Sequence, residues 1–135
     1  MRLWHYKLLE FLPRAQLLSQ WRECCCIARN ISINGTPNHL LVNKILNYPD
    51  GDFNSYAWAV FNAIKRRGYR CDFTKFQKWR KGASKSTSDE IFKDWHNDRY
   101  LKQCLFNLQE KADCGGFSHL KWRAIYINFK NFIEI

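Results

Sequence analysis

Glu23 follows Arg22 in a stretch that reads as helix, about twenty residues from an amino terminus that begins Met1-Arg2-Leu3-Trp4-His5. A carboxylate and a terminal amine are the two groups that a lyase working through its first nitrogen needs. The spacing carries little weight by itself, because a glutamate on an amphipathic helix is usually a solvated surface residue. Its meaning depends on what the rest of the chain brings beside it.

At 135 residues the chain is ordinary for one compact domain with a single core. Its 22 Lys and Arg outnumber 12 Asp and Glu, giving a formal charge of +10. Such a field attracts polyanions, and nucleic acid is the first partner it suggests. The plain alternative is an excess that only maintains solubility. Six Trp, six Tyr and ten Phe exceed what a small core normally needs, and rings interleaved with cations suit stacking on bases as well as packing. Of the six cysteines, Cys24, Cys25 and Cys26 are consecutive, while Cys71, Cys104 and Cys114 show no framework spacing. Free, mostly buried thiols in a reducing compartment are therefore expected. Cys114 and His119 form an incomplete ligand set, so no metal or other cofactor is expected. No run is long enough for a membrane span, and the expectation is a soluble, cytoplasmic monomer.

Helical periodicity dominates the pattern. Leu17, Leu18, Trp21, Cys24, Cys25 and Ala28 form a stripe that predicts a helix from Pro13 to about Ile31, ended by Asn34-Gly35. Gln16, Gln20, Glu23 and Ile27 fall on another face, which lets Glu23 look out of the core. Thr36-Pro37 reads as the opening of a short helix through Leu41 and Ile45, stopped by Tyr48-Pro49, with Asp50-Gly51-Asp52 as a turn. A second helix is expected from Asn54 or Ser55 to Arg67, with Ala57, Val60, Phe61 and Ile64 inward and Gly68 ending it. Residues 81–88 read as a flexible segment. Thr87 with Glu90 resembles a capping box for a short helix through Ile91, Phe92 and Trp95. A third main helix starts at Asn97 or Asp98, carries Leu101, Cys104, Leu105 and Leu108 inward, and precedes Gly115-Gly116. Ser118 caps a last helix with Trp122, Ile125, Tyr126, Phe129 and Phe132 as its stripe. With no alternating strand and no internal repeat, the expected architecture is all-α, three main helices plus short helices and long loops.

Between Phe61 and Gly82 lie Lys65, Arg66, Arg67, Arg70, Lys75, Lys78, Arg80 and Lys81 against Asp72 alone, with Tyr69, Phe73, Phe76 and Trp79 among them. That run is either a solvated face or a surface for a polyanion.

The opening segment through Gln16-Leu17 and Arg22-Glu23, the close of the second helix at Lys65-Arg66-Arg67-Gly68-Tyr69, and Leu108-Gln109-Glu110-Lys111 together resemble the phage-type pyrimidine-dimer DNA glycosylases, the endonuclease V family. Met1-Arg2-Leu3-Trp4-His5, Thr36-Pro37-Asn38-His39-Leu40 and His96-Asn97-Asp98-Arg99-Tyr100 look like a cellular branch of it. The resemblance implies a compact helical protein that binds and bends damaged double-stranded DNA and displaces a nucleotide at a pyrimidine dimer. In the family the α-amine attacks the sugar C1′, expels the base, forms an imine and permits strand cleavage by β-elimination, with no cofactor. An α-amine suits this role because its pKa of roughly 7.7–8.0 leaves a useful neutral fraction near neutrality.

Residue by residue, the resemblance makes Met1 the nucleophile and Glu23 the catalytic carboxylate, stabilising an oxocarbenium sugar and assisting proton transfer. It makes Arg22 a DNA contact, and Lys121 and Arg123, in an aromatic tail like the family's basic-aromatic C-terminal segment, backbone contacts. Arg2, beside the proposed nucleophile, is expected to bind a phosphate or orient Glu23, and Arg29, one turn past Cys26, to bind DNA in place of a family cation. The bulk of Arg2 predicts that Met1 is retained, so its own nitrogen would act. Where the family carries a cation four residues beyond the matched arginine this chain has Cys26, and Gln16 stands in place of a histidine. The competing reading is a non-catalytic basic nucleic-acid-binding module on the same scaffold. A third class, a small-molecule or protein interaction domain, would follow if the cations were scattered around the surface.

Overall fold

A computed structural model describes residues 2–80 and 91–133, the last two by backbone alone. Met1, residues 81–88 and the Thr87–Glu90 capping pair lie outside the described residues, as does the Phe132 side chain. The described elements are helical throughout: α1 (Arg14–Asn34), α2 (Asp50–Arg66), α3 (Thr74–Gln77), α4 (Asp98–Asp113), α5 (His119–Asn128) and α6 (Lys130–Ile133), with 3-10 segments Tyr6–Leu8 and Val42–Asn47. The chain is all-α, and α1, α2 and α4 are the three long helices. Among the described residues, no helix is long and apolar enough to cross a membrane.

The helix ends follow local chemistry. Gly35 closes α1 in the left-handed region at φ 77°, its N–H bonding the Ile31 carbonyl at 2.8 Å. Asn97 caps α4 by accepting from the Tyr100 N–H at 2.9 Å, and Ser118 caps α5 by accepting from the Lys121 N–H at 3.2 Å. Past α4, the Gly116 N–H returns to the Lys111 carbonyl at 2.7 Å. A Cβ at Gly116 would stand 3.0 Å from that same oxygen, so the approach favours glycine.

Three local expectations are corrected. Asp50-Gly51-Asp52 is the first turn of α2 rather than a preceding turn, because Pro49 starts the helix and two carboxylates favour its N-terminal dipole. Thr36-Pro37 does not open a helix; the turn begins at Val42, and the Thr36 hydroxyl instead accepts from the Asn38 N–H. Ile91, Phe92 and Trp95 are buried but not helical, since Phe92 and Asp94 have φ of 56° and 71°. The Asp52 carboxylate accepts from the Phe92 N–H at 3.2 Å and holds that irregular segment against α2.

In the core, α1 packs on α2 and α3, α4 on α5 and α6, and the buried apolar residues join in one cluster. Much of the aromatic surplus is used there. Trp21, Trp58, Phe61, Phe73 and Phe76 stack between α1, α2 and α3, while Tyr48, Tyr56, Phe92, Trp95, His96 and Tyr100 pack around the 91–100 segment. The six cysteines are free thiols, but only Cys24 and Cys104 are buried; Cys26 and Cys114 are exposed.

The segment before α1 is also core: Leu3, Trp4, His5, Leu8, Leu9 and Leu12 are all buried. His5 stacks on His96 at 5.1 Å. The Nδ1 atom of His5 accepts from the Lys7 N–H (3.1 Å), and that of His96 from the Tyr6 N–H (3.2 Å), so each ring is a neutral tautomer carrying its proton on Nε2. The His5 Nε2–H donates to the His96 carbonyl at 2.8 Å. Burial pulls the pKa of His5 down to about 4, and burial together with the neighbouring His5 pulls that of His96 lower still.

Both rings therefore stay neutral in the folded state through a range where the unfolded chain, with histidine pKa near 6.5, takes up protons. Stability is complete above about pH 6.5 and falls as pH drops toward 4, by at most about 1.4 kcal/mol per pH unit for each histidine. Thermal unfolding followed by circular dichroism should show a midpoint that declines steeply from about pH 6.5 to 5, above the carboxylate range. A flat midpoint across that interval would contradict the buried neutral pair.

Candidate active site

Gln20 is the centre of the site, and it is 1 % exposed. Its Oε1 accepts from the Trp4 N–H at 2.8 Å; its Nε2 donates to the Arg2 carbonyl at 3.1 Å and to the Glu23 carboxylate at 3.3 Å. Two phenols complete the clamp. Tyr56 of α2 donates to the Trp4 carbonyl at 2.6 Å and Tyr100 of α4 to the Leu3 carbonyl, also at 2.6 Å. Burial raises the pKa of both phenols, so they remain donors at any ordinary pH. The three consecutive carbonyls of Arg2, Leu3 and Trp4 are thus each held from a different long helix.

Glu23 lies one turn beyond Gln20 and borders a cleft of about 470 Å³ with Arg2, Trp4, Gln16, Asn107, Glu110 and Lys111. Asn107, Glu110 and Lys111 come from one face of α4, which flanks its buried Leu101, Cys104, Leu105 and Leu108 stripe. Two cations and two carboxylates balance in this cleft. Gln16 Oε1 and Asn107 Nδ2 are covered and have no hydrogen-bond partner among the described residues, an acceptor and a donor left for something else to satisfy.

Positive charge gathers beside this balanced centre. A groove of about 610 Å³, sharing Ala15, Gln16 and Ser19 with the cleft, is lined by Arg14, Arg22 and Lys121 and by no carboxylate. The N-terminus of α1 opens there without a side-chain cap or an acidic residue in its first turn, adding the positive end of the helix dipole. Arg22 is oriented by its bond to the Ser19 hydroxyl at 3.1 Å. On the other side, Arg2 lies over the Trp4 and Tyr100 rings at 5.9 and 6.0 Å and also borders a third cleft with Lys44 and Arg99.

The structure thus brings together Glu23 and Arg2 in one cleft and Arg22 and Lys121 in the adjoining groove. Arg29 and Arg123 line none of these clefts: Arg29 lies over Trp79 at 6.0 Å, and Arg123 is turned roughly 200° from Lys121 around α5. Met1 lies outside the described residues, next to the clamped Arg2. Gln20 and Ile27 overturn the outward face expected for them, both being buried. None of the described cations between Phe61 and Gly82 lines the Glu23 cleft. Arg66 pairs with Glu10 at 2.7 Å, Arg67 donates to the Glu10 carbonyl, and Arg80 is held by Asn54. The sequence reading missed Gln20, Tyr56, Tyr100 and Asn107. The three-and-four spacing of Asn107, Glu110 and Lys111 was the one available signal for a polar face on α4.

Comparison with known proteins adds one positive finding. Residues 1–77 match the family model described as pyrimidine dimer DNA glycosylase, a span covering the amino-terminal segment, α1, α2 and α3. No curated protein and no solved structure matches the chain.

Replacing Gln20 by Leu leaves the buried Trp4 N–H without its acceptor and the Arg2 carbonyl without its donor, a loss of about 2–4 kcal/mol. Glu23→Gln keeps an amide oxygen for Gln20 Nε2 and should cost less than about 1 kcal/mol. Urea unfolding of the two variants checks the ordering. If Gln20→Leu were as stable as the parent, the clamp would not be what holds the segment.

Proposed function

The chain belongs to the pyrimidine dimer DNA glycosylase family, and from that premise we propose that it is a DNA glycosylase with an associated abasic-site lyase activity, working through the α-amine of Met1 on pyrimidine dimers or related lesions. The amine nitrogen bonds to C1′ as the bond from C1′ to the base nitrogen breaks, and the base leaves with the shared electron pair. Loss of a proton from nitrogen lets its electron pair form the C=N bond as the C1′–O4′ bond breaks, so the sugar ring opens, O4′ takes up a proton and the imine results. Removal of a C2′ proton then expels the 3′ phosphate, cutting the strand.

The observation that carries this reading is the pair of hydrogen bonds that Gln20 Nε2 donates, one to the Arg2 carbonyl and one to the Glu23 carboxylate. That shared amide ties the residue following the proposed nucleophile to the proposed acid, which supports the two acting on one sugar. Glu23 is suited to stabilise the oxocarbenium charge and take up the migrating proton, with the Arg2 cation at the cleft rim. The groove of Arg14, Arg22 and Lys121, free of acids in its lining, is suited to a phosphate backbone. That same groove is what a non-catalytic binding module would use, and covalent chemistry separates the two readings.

Borohydride reduction on DNA carrying an abasic site or a pyrimidine dimer should trap a protein–DNA adduct, and acetylating the amino terminus should abolish it. Glu23→Gln should lower strand cleavage by about 10²–10⁴ with little change in folding. A folded parent protein with a free terminus that yields no adduct on either substrate would leave only the binding module. Separately, Arg22→Ala and Lys121→Ala should each weaken DNA binding for all sequences and reduce the slope of log affinity against log salt by about one. An unchanged slope would remove the groove from the DNA path.

A further inference from the structure

Leu40 is 93 % exposed, more than any other large apolar side chain among the described residues. It does not sit on a slack loop. The Asn43 Oδ1 accepts from the Thr36 hydroxyl and from the His39 N–H, both at 3.1 Å. The Asn38 N–H donates to Thr36 Oγ1 at 3.1 Å, and the Asn43 N–H to the His39 carbonyl at 2.8 Å. Asn38 takes φ 56°, a left-handed conformation that asparagine tolerates better than most residues. Side-chain hydrogen bonds therefore fix a turn whose result is a leucine held out into water.

What surrounds the turn is charged. The next residue, Leu41, borders a cleft of about 350 Å³ with Arg2, Lys44, Trp95, Arg99 and Tyr100, where three cations face one carboxylate, Asp94. Trp95 is buried, and its indole N–H has no hydrogen-bond partner among the described residues, a donor that a phosphate oxygen would satisfy. Arg2 belongs both to this cleft and to the one that holds Glu23, so the two adjoin. A fixed apolar tip beside cations, next to the cleft that Glu23 borders, is the kind of arrangement by which proteins open a base stack.

We propose that Leu40 is a wedge that enters the base stack of bound duplex DNA beside the displaced nucleotide, while Lys44 and Arg99 in the adjoining cleft hold the backbone there. The inference rests on the DNA-repair reading above. Taking a nucleotide out of a duplex removes its stacking, and an apolar side chain in the gap recovers part of that loss. The phosphates on either side need cations that fix the backbone without reading sequence.

Leu40→Ser tests this cleanly, because the side chain is exposed and the variant should unfold with the parent. Two readouts are needed: the fluorescence of 2-aminopurine placed next to an abasic site in a duplex, and borohydride trapping on abasic duplex against abasic single strand. The parent should raise the fluorescence on binding. Leu40→Ser should lose most of that rise and roughly tenfold or more of the duplex trapping, keeping its single-strand trapping, while Leu40→Met should behave as the parent. Equal fluorescence and trapping for Leu40→Ser and parent would overturn the wedge. So would a parent that sediments as a dimer which Leu40→Ser dissociates, since Leu40 would then be a contact between two copies. The fluorescence reports binding alone, so it decides the wedge even if no adduct forms and the lyase reading fails.

Discussion

The buried carboxamide of Gln20 is the interaction on which the rest of the site depends. Chain ends normally fray, because few contacts offset the entropy of ordering them. Here the amide supplies an acceptor and two donors, all three engaged, and two phenols from other helices secure the neighbouring carbonyls. A polar group in a core is costly unless its hydrogen-bonding capacity is met, and full engagement is what makes this one tolerable. The same bonds leave little freedom for the main chain from Arg2 to Trp4. Arg2 and the Glu23 carboxylate are thereby tied to one side chain, which fixes how they border the same cleft.

Charge is distributed in a way that a net value of +10 does not convey. The cleft holding Glu23 is balanced, whereas acid-free lining is found only one step away, beside Arg14, Arg22 and Lys121. On the proposed chemistry this separation is sensible. A sugar acquiring positive character is served by a nearby anion, and a backbone of phosphates is served by cations farther out. Within the long basic run at the end of α2 and through α3, Arg66, Arg67 and Arg80 fasten loops to helices, and Lys78 lies on Trp79.

The helices were readable where one stripe met one core. Leu101, Cys104, Leu105 and Leu108 specify α4, and Gly35 and Ser118 mark helix ends, because these signals are local. The 91–97 segment was misread because Phe92 and Asp94 take left-handed backbone that apolar spacing does not encode; the Asp52 carboxylate, distant in sequence, holds Phe92 there. For the site, Glu23 was identified through resemblance and Arg2 through its place beside the expected nucleophile, while Arg123, taken from the resemblance, and Arg29, taken as a substitute for a cation at Cys26, line none of the clefts. Gln20 was invisible for a physical reason. A glutamine on the polar side of a helix looks solvated until another piece of chain covers it, and here the cover comes from residues 2–4.

The buried amino-terminal segment also bears on the order in which the molecule can be completed. Leu3 waits for Tyr100, 97 residues later, and His5 for His96, 91 residues later. At a synthesis rate of about 5–20 residues per second, that interval is roughly 5–20 s. Residues 2–5 are thus locked only once the 96–100 segment has emerged, and until then the apolar side chains of Leu3, Trp4, Leu8, Leu9 and Leu12 have to be kept from other company.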